Sequence, residues 1–204
     1  MDGIRMADWR LILLRHGVTE ANERRLYCGA SDPPLSPAGR QALAELRRTA
    51  AYPPLEGLRV YTSGLRRTEE TLFAIYGVVA HETLPAFQEM HFGVFEGHSY
   101  EELKEDPAYQ TWISGDNERN RCPGGESGAE MTDRVLAAFQ ALPVGEGALI
   151  VTHGGPIAAI MAHLFPEAGK NRYAWQPKNG CGYALSLSED RRGLGWRALP
   201  EPRN

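Results

Sequence analysis

No stretch of this 204-residue chain approaches the run of about 20 apolar residues that a membrane-crossing helix requires, and its polar beginning does not read as a signal peptide. Cysteine is scarce: Cys28, Cys122 and Cys181 are odd in number and have no paired metal spacing. Free thiols in a reducing compartment are therefore expected rather than disulfides or zinc ligands, and with them a cytoplasmic location. Basic runs and aromatic-basic interleaving are missing too, and the formal net charge is −4, so neither a nucleic-acid nor a membrane partner is expected. An anionic substrate would have to be met by arginines placed locally against an acidic whole. The G-x-S-x-G string of serine hydrolases, the H-E-x-x-H of zinc proteases and the G-x-x-x-x-G-K-[ST] of nucleotide-binding P-loops are all absent. There is no internal repeat and no low-complexity segment.

What remains is an ordinary globular composition, 42% hydrophobic and 24% charged, at a length that suits one domain or one domain with an inserted cap. The sharpest local signal is WRLILLRHGVTEAN at residues 9–22, an apolar run that stops at Arg-His-Gly. Leu11 to Leu14 read as a short strand buried on both faces, which delivers Arg15 and His16 to its carboxyl end. Open α/β sheets bind ligands at that edge, and Gly17 lets the backbone turn there. Further on, Gly29, Asp32, Pro33 and Pro34 mark a loop, and Ser36-Pro37 starts a helix with one apolar face at Ala42, Leu43, Leu46 and Ala50.

Arg59 to Thr62 read as a second strand that runs into SGLRRTEET, where a helix begins. An arginine in such a first turn suits either a bound phosphate or a salt-bridged surface, and spacing alone does not choose. Val78 and Val79 suggest a third strand. The aromatic and acidic stretch from Phe87 to Gly115, with helical pieces at 99–105 and 107–114, follows no single period and reads as an excursion from the sheet. Residues 115–125 form a loop and Glu126 onward a helix, with Met131, Val135, Ala138, Phe139 and Leu142 on one face. Ala148 to Val151 repeat the opening pattern, a buried strand ending at Thr152-His153-Gly154-Gly155 and then an apolar helix. Residues 181–187 and 194–199 look like antiparallel edge strands, and Pro200–Asn204 a frayed tail.

Two strands thus present His16 and His153 at carboxyl ends that a parallel sheet brings to one edge. Five strings in order, RHGVTEAN, TSGLRRT, FQEMHFGVFEGHS, PGGES and VTHGG, resemble the histidine phosphatase superfamily, which holds phosphoglycerate mutases and many small-molecule phosphatases. The resemblance implies a three-layer α/β/α sandwich, mostly parallel with an antiparallel edge, as one domain over 1–204 with residues 90–125 as a cap. It also implies that His16 is the nucleophile, that Glu89 is the acid/base carboxylate, and that Arg15, Asn22, Arg67 and His153 surround the phosphoryl group. Arg67 rather than Arg66 falls on the second arginine of the pattern. Gly29 and Gly154 are candidate substrate contacts, no metal or cofactor is called for, and a homodimer stays open. The other four histidines, His81, His91, His98 and His163, match no role and read as surface or structural.

The activity this implies is hydrolysis of a small phosphorylated metabolite through phosphohistidine. The short segment between Glu89 and His153, with its FGVFEG and PGGES strings, is similar to α-ribazole and broad-specificity phosphatases rather than to cofactor-dependent mutases, whose segment is longer. Phe95 replaces the tryptophan common in those phosphatases, and Gly64 an acidic residue. Arg119 and Arg121 read equally as ligands of a second anionic group or as a solvated loop. A cofactor-dependent phosphoglycerate mutase, and a silent phosphoester-binding protein on the same fold, are the alternatives.

Overall fold

The computed structural model describes residues 9–116, 118–143 and 146–203. In chain order these form β1 (Trp9–Arg15), α1 (Glu20–Glu23), α2 (Pro37–Thr49), β2 (Ala50–Ala51), β3 (Leu58–Thr62), α3 (Arg66–Tyr76) and β4 (Glu82–Thr83). Then come α4 (Tyr100–Leu103), α5 (Pro107–Ile113), α6 (Gly128–Ala141), β5 (Gly147–Thr152), α7 (Gly154–Leu164), β6 (Gly182–Leu187), β7 (Gly193–Leu199) and β8 (Glu201–Pro202). Six strands make one sheet in the order β4-β3-β5-β1-β6-β7. β4, β3, β5 and β1 run parallel, while β6 and β7 close the other edge antiparallel.

Side chains of a strand alternate between faces, and both faces of the central strands are covered. Leu11, Leu13 and Ile150 pack on one face with Met131, Val135 and Phe139 of α6 and Ile157, Ile160 and Met161 of α7. Ile12, Leu14, Leu149 and Val151 pack on the other with Leu43 of α2 and Leu72 and Ile75 of α3. This is the three-layer α/β/α sandwich with an antiparallel edge. Each such side chain contributes roughly 1.5–3 kcal/mol by leaving water, which anchors the middle of the sheet from both faces.

Several local expectations shift. Val78 is 92% exposed and the third parallel strand is instead the two-residue β4, because Gly77, in a positive-φ conformation, has already ended α3. Helix α6 begins at Gly128 behind a Ser127 cap rather than at Glu126. The tail is held as far as Arg203, while Asn204 lies outside the described residues: β8 pairs with β2, and the Arg203 guanidinium donates to Arg47 O (2.8 Å) and Ala50 O (3.1 Å). Within 90–125, Phe95, Leu103, Tyr109, Trp112 and Cys122 join the same core as Leu11 and Ile150. No described helix is long and apolar enough to cross a membrane.

Candidate active site

The meeting of the two histidines follows from sheet register. β1 and β5 pair in parallel with Arg15 opposite Thr152, so the next residue on each strand, His16 and His153, emerges side by side. The His16 N–H donates to Thr152 O (2.9 Å), and the two rings stand edge to face with centroids 5.1 Å apart.

Both imidazoles are buried, and burial next to Arg67 and Arg15 holds each well below its ordinary pKa, so both are neutral at neutral pH. Their tautomers follow from their partners. His16 Nδ1 lies 2.6 Å from Gly17 O, which can only accept, so Nδ1 carries the proton and Nε2 keeps its lone pair. On His153, Arg67 Nε donates to Nδ1 (3.3 Å) and Nε2 lies 2.8 Å from Ser63 Oγ. The Thr68 hydroxyl donates to Leu65 O (2.7 Å), so the Ser63 hydroxyl proton goes to Thr68 Oγ1 (3.2 Å) and Nε2–H donates to Ser63. His153 therefore offers no N–H to a ligand in this state, and its ring orients Arg67 and backs His16.

Arg67, only 1% exposed, sits in the first turn of α3. It donates to Ser31 O (2.6 Å) and Gly29 O (2.7 Å) besides His153, which leaves two of its five N–H groups. Arg66 is instead at the surface, paired with Glu70. Arg15 gives one N–H to Pro177 O (2.8 Å), while its buried Nε has no partner. Burial works against the charge of both arginines, offset at Arg15 by nearby Glu89. Asn22 Oδ1 accepts from Thr19 N (3.0 Å), Thr19 Oγ1 (3.1 Å) and Asn179 Nδ2 (3.3 Å), so its amide nitrogen is the end left for a ligand.

Glu89 lies at the N-terminus of α7, its Oε2 accepting from Gly155 N (3.0 Å) and its Oε1 from Met90 N (3.0 Å). A Cβ on Gly155 would come within 2.2 Å of Oε1, so only glycine lets the carboxylate reach this helix end. The segment before Glu89 is pinned by Arg134 Nη1 on Ala86 O (2.8 Å) and Gln88 O (3.0 Å), and by Thr152 Oγ1 on Phe87 O (2.6 Å).

The two glycine candidates both lie close to the cup. The Gly29 N–H donates to the Glu96 carboxylate (2.9 Å), and a Cβ there would lie 1.7 Å from Met90 O, so Gly29 is a packing glycine. Gly154 leaves room for Gln176 and the Arg15 guanidinium, which a Cβ would meet at 3.3 and 3.4 Å.

Sequence reasoning missed three residues. Glu96 accepts from the backbone of Gly29, Ala30, Ser31 and Phe92 and from Ser31 Oγ (2.6 Å), and so shapes the loop whose carbonyls grip Arg67. Asn179 donates to His16 O (3.1 Å) and Gly17 O (3.3 Å), bracing the turn at His16. Ser63 fixes the His153 tautomer. Ser63 and Glu96 lie inside the TSGLRRT and FGVFEG strings, while Asn179 lies in an Asn-Gly pair that signals only a turn. Arg15, Asn22, Glu89 and Gly155 face a cavity of about 370 Å³.

This arrangement defines a class: an imidazole with an unengaged ring nitrogen, one buried and one half-buried guanidinium group beside it, and a carboxylate at a helix end. Comparison with known proteins agrees. A family model for the histidine phosphatase superfamily (branch 1) matches residues 11–197, and the chain belongs to that superfamily. Adenosylcobalamin/alpha-ribazole phosphatase of Salmonella typhimurium is 28% identical over 88% of this chain and 91% of its own length. A 2,3-bisphosphoglycerate-dependent phosphoglycerate mutase of Xanthobacter autotrophicus is 31% identical over 78% of this chain and 82% of its own. Among solved structures, TTHB049 of Thermus thermophilus superposes with a TM-score of 0.70 at 30% identity, covering 93% of this chain and 99% of that one. The relatives thus include both phosphatases and mutases.

Proposed function

We propose that this chain is a phosphatase that hydrolyses a small phosphomonoester through a phosphohistidine on His16. The observation that carries this reading is a free Nε2 lone pair on a buried neutral imidazole, set beside the buried guanidinium of Arg67 and the half-buried one of Arg15, whose Nε–H has no partner. In the first step that lone pair forms a bond to phosphorus while the bond from phosphorus to the ester oxygen breaks. The unengaged N–H groups of Arg15 and Arg67, with the Asn22 amide, meet the equatorial oxygens, where the transition-state charge lies. Protonated Glu89 gives its proton to the departing oxygen. In the second step water bonds to phosphorus, the phosphorus–nitrogen bond breaks with its electron pair returning to Nε2, and the Glu89 carboxylate takes the water's proton.

The experiment is a trap-and-variant series. Brief incubation with substrate and acid-free quenching is expected to leave a phosphohistidine on His16 of the natural chain, while His16→Ala folds but neither labels nor turns over. Labelling elsewhere, or turnover by His16→Ala, overturns the mechanism. The mutase reading is favoured by the likeness to the Xanthobacter enzyme, and it shares the first step. It requires transfer from the phosphohistidine to a phosphoglycerate hydroxyl in preference to water, which one assay with 3-phosphoglycerate measures.

A further inference from the structure

The walls of the cavity narrow the substrate, an inference that rests on the phosphatase reading above. Arg15, Asn22, Glu89 and Gly155 mark its phosphoryl end. The rest of the lining includes Leu26, Tyr27, Met90, Phe92, Trp112 and Ile113, with the phenol of Tyr173 and the amide of Gln176 as its polar groups, and none of these carries a charge. The aromatic part is a built wall. Tyr27 lies 5.0 Å from Phe92 and 5.6 Å from Trp112 between ring centroids, and its hydroxyl is tied to that of Tyr109 at 2.6 Å. Trp112 and Tyr109 are buried in the main core, so the wall cannot easily turn aside.

The arginines that might have met a second anionic group are engaged elsewhere. Arg121 donates to Gly125 O (2.7 Å) and faces Glu130 (3.3 Å), Arg119 faces Asp116 (3.3 Å), and Arg134 holds Glu126 and the 86–89 backbone. A substrate carboxylate or second phosphate in this end of the cavity would lose its water against aromatic rings, with no counter-charge among the described residues of that wall. A flat ring there would gain both burial and edge or face contacts. A cavity near the small end of the usual ligand range of about 300–1,000 Å³ holds a phosphoryl group with one or two rings beside it.

We infer that the substrate is a phosphomonoester whose alcohol is a flat, uncharged, largely apolar group, and that Phe92 and Trp112 select it while short phosphorylated acids are refused. The test compares kcat/KM for 2-naphthylmethyl phosphate and 3-phosphoglycerate, both alkyl esters with similarly poor leaving groups, with hydrolysis and mutation both counted for the latter. The naphthyl ester is expected to lead by at least about a hundredfold, the discrimination produced when a charged group is buried unpaired. Phe92→Ala is expected to raise KM for the naphthyl ester about tenfold with little change in kcat, the loss of one ring contact. Ile113→Arg is expected to raise 3-phosphoglycerate use and lower naphthyl use. Equal or better use of 3-phosphoglycerate by the natural chain overturns the inference and leaves phosphohistidine chemistry standing. An unchanged naphthyl KM in Phe92→Ala overturns it also. Lack of turnover on both esters, with no phosphohistidine formed, overturns it together with the phosphatase reading.

Discussion

Two neutral imidazoles walled into a cationic cup tie the stability of the whole fold to pH. In the unfolded chain each histidine titrates near its reference pKa of about 6.5, whereas burial beside Arg67 and Arg15 holds His16 and His153 well below that value in the folded state. Between about pH 7.5 and about pH 5.5 the unfolded chain therefore takes up most of a proton on each of these two histidines that the native state refuses, and stability must fall as the pH falls. The linkage relation gives a loss of about 1.4 kcal/mol per histidine and about 2.8 kcal/mol for the pair. For a domain of this size that lowers the melting temperature by roughly 6–11 °C. Carboxylates barely enter, since their unfolded pKa values lie near about 4. The assay is urea unfolding across this interval for the natural chain and for the double variant His16→Asn, His153→Gln. Those amides keep the donors to Gly17 O and Ser63 Oγ but cannot be protonated. The double variant should lose the slope. A natural chain whose stability is flat or rises toward pH 5.5, or a double variant with the same slope, would refute the burial argument.

Other perturbations reach the site through its supports. Gly155→Ala should push the Glu89 carboxylate off the start of α7, lowering kcat on alkyl phosphates by about a hundredfold while nitrophenyl phosphate, whose leaving group needs no proton, falls far less. Comparing kcat for the two esters checks this. Glu96→Ala should free the Gly29–Ser31 loop and with it the carbonyls that aim Arg67. A loss of about 2 kcal/mol in denaturant stability, together with about tenfold weaker inorganic phosphate binding by calorimetry, is expected. Asn179→Ala should lower kcat about tenfold, because it loosens the turn behind His16 and removes one of the three donors that orient Asn22; steady-state kinetics checks this.

How much of this was legible in the chain depends on how local the signal is. Leu11–Leu14 and Ala148–Val151 read as buried strands because a strand covered on both faces needs a continuous apolar run, and that same reading delivered His16 and His153 to one edge. The Ser36 cap and the proline after it fixed the start of α2. Val78 and Val79 misled because β-branched residues favour strands only where a neighbour exists, and here the chain has not yet reached β3. The engagement of the His153 N–H with Ser63 depends on a chain of hydroxyls that runs through Thr68 to Leu65, which no spacing rule encodes. Glu96 and Asn179 escaped notice for the same reason: each acts on backbone groups 65 to 163 positions away.

The braces behind His16 come from late in the chain. Arg15 N donates to Cys181 O, Gly180 N to Arg15 O, Arg15 Nη1 to Pro177 O, and Asn179 to the two carbonyls at the turn. During synthesis His16 leaves the ribosome long before residues 177–182, on which its mounting depends. A nascent polypeptide halted after β5 would carry all five signature strings without these braces, so the site is assembled only once β6 begins to emerge.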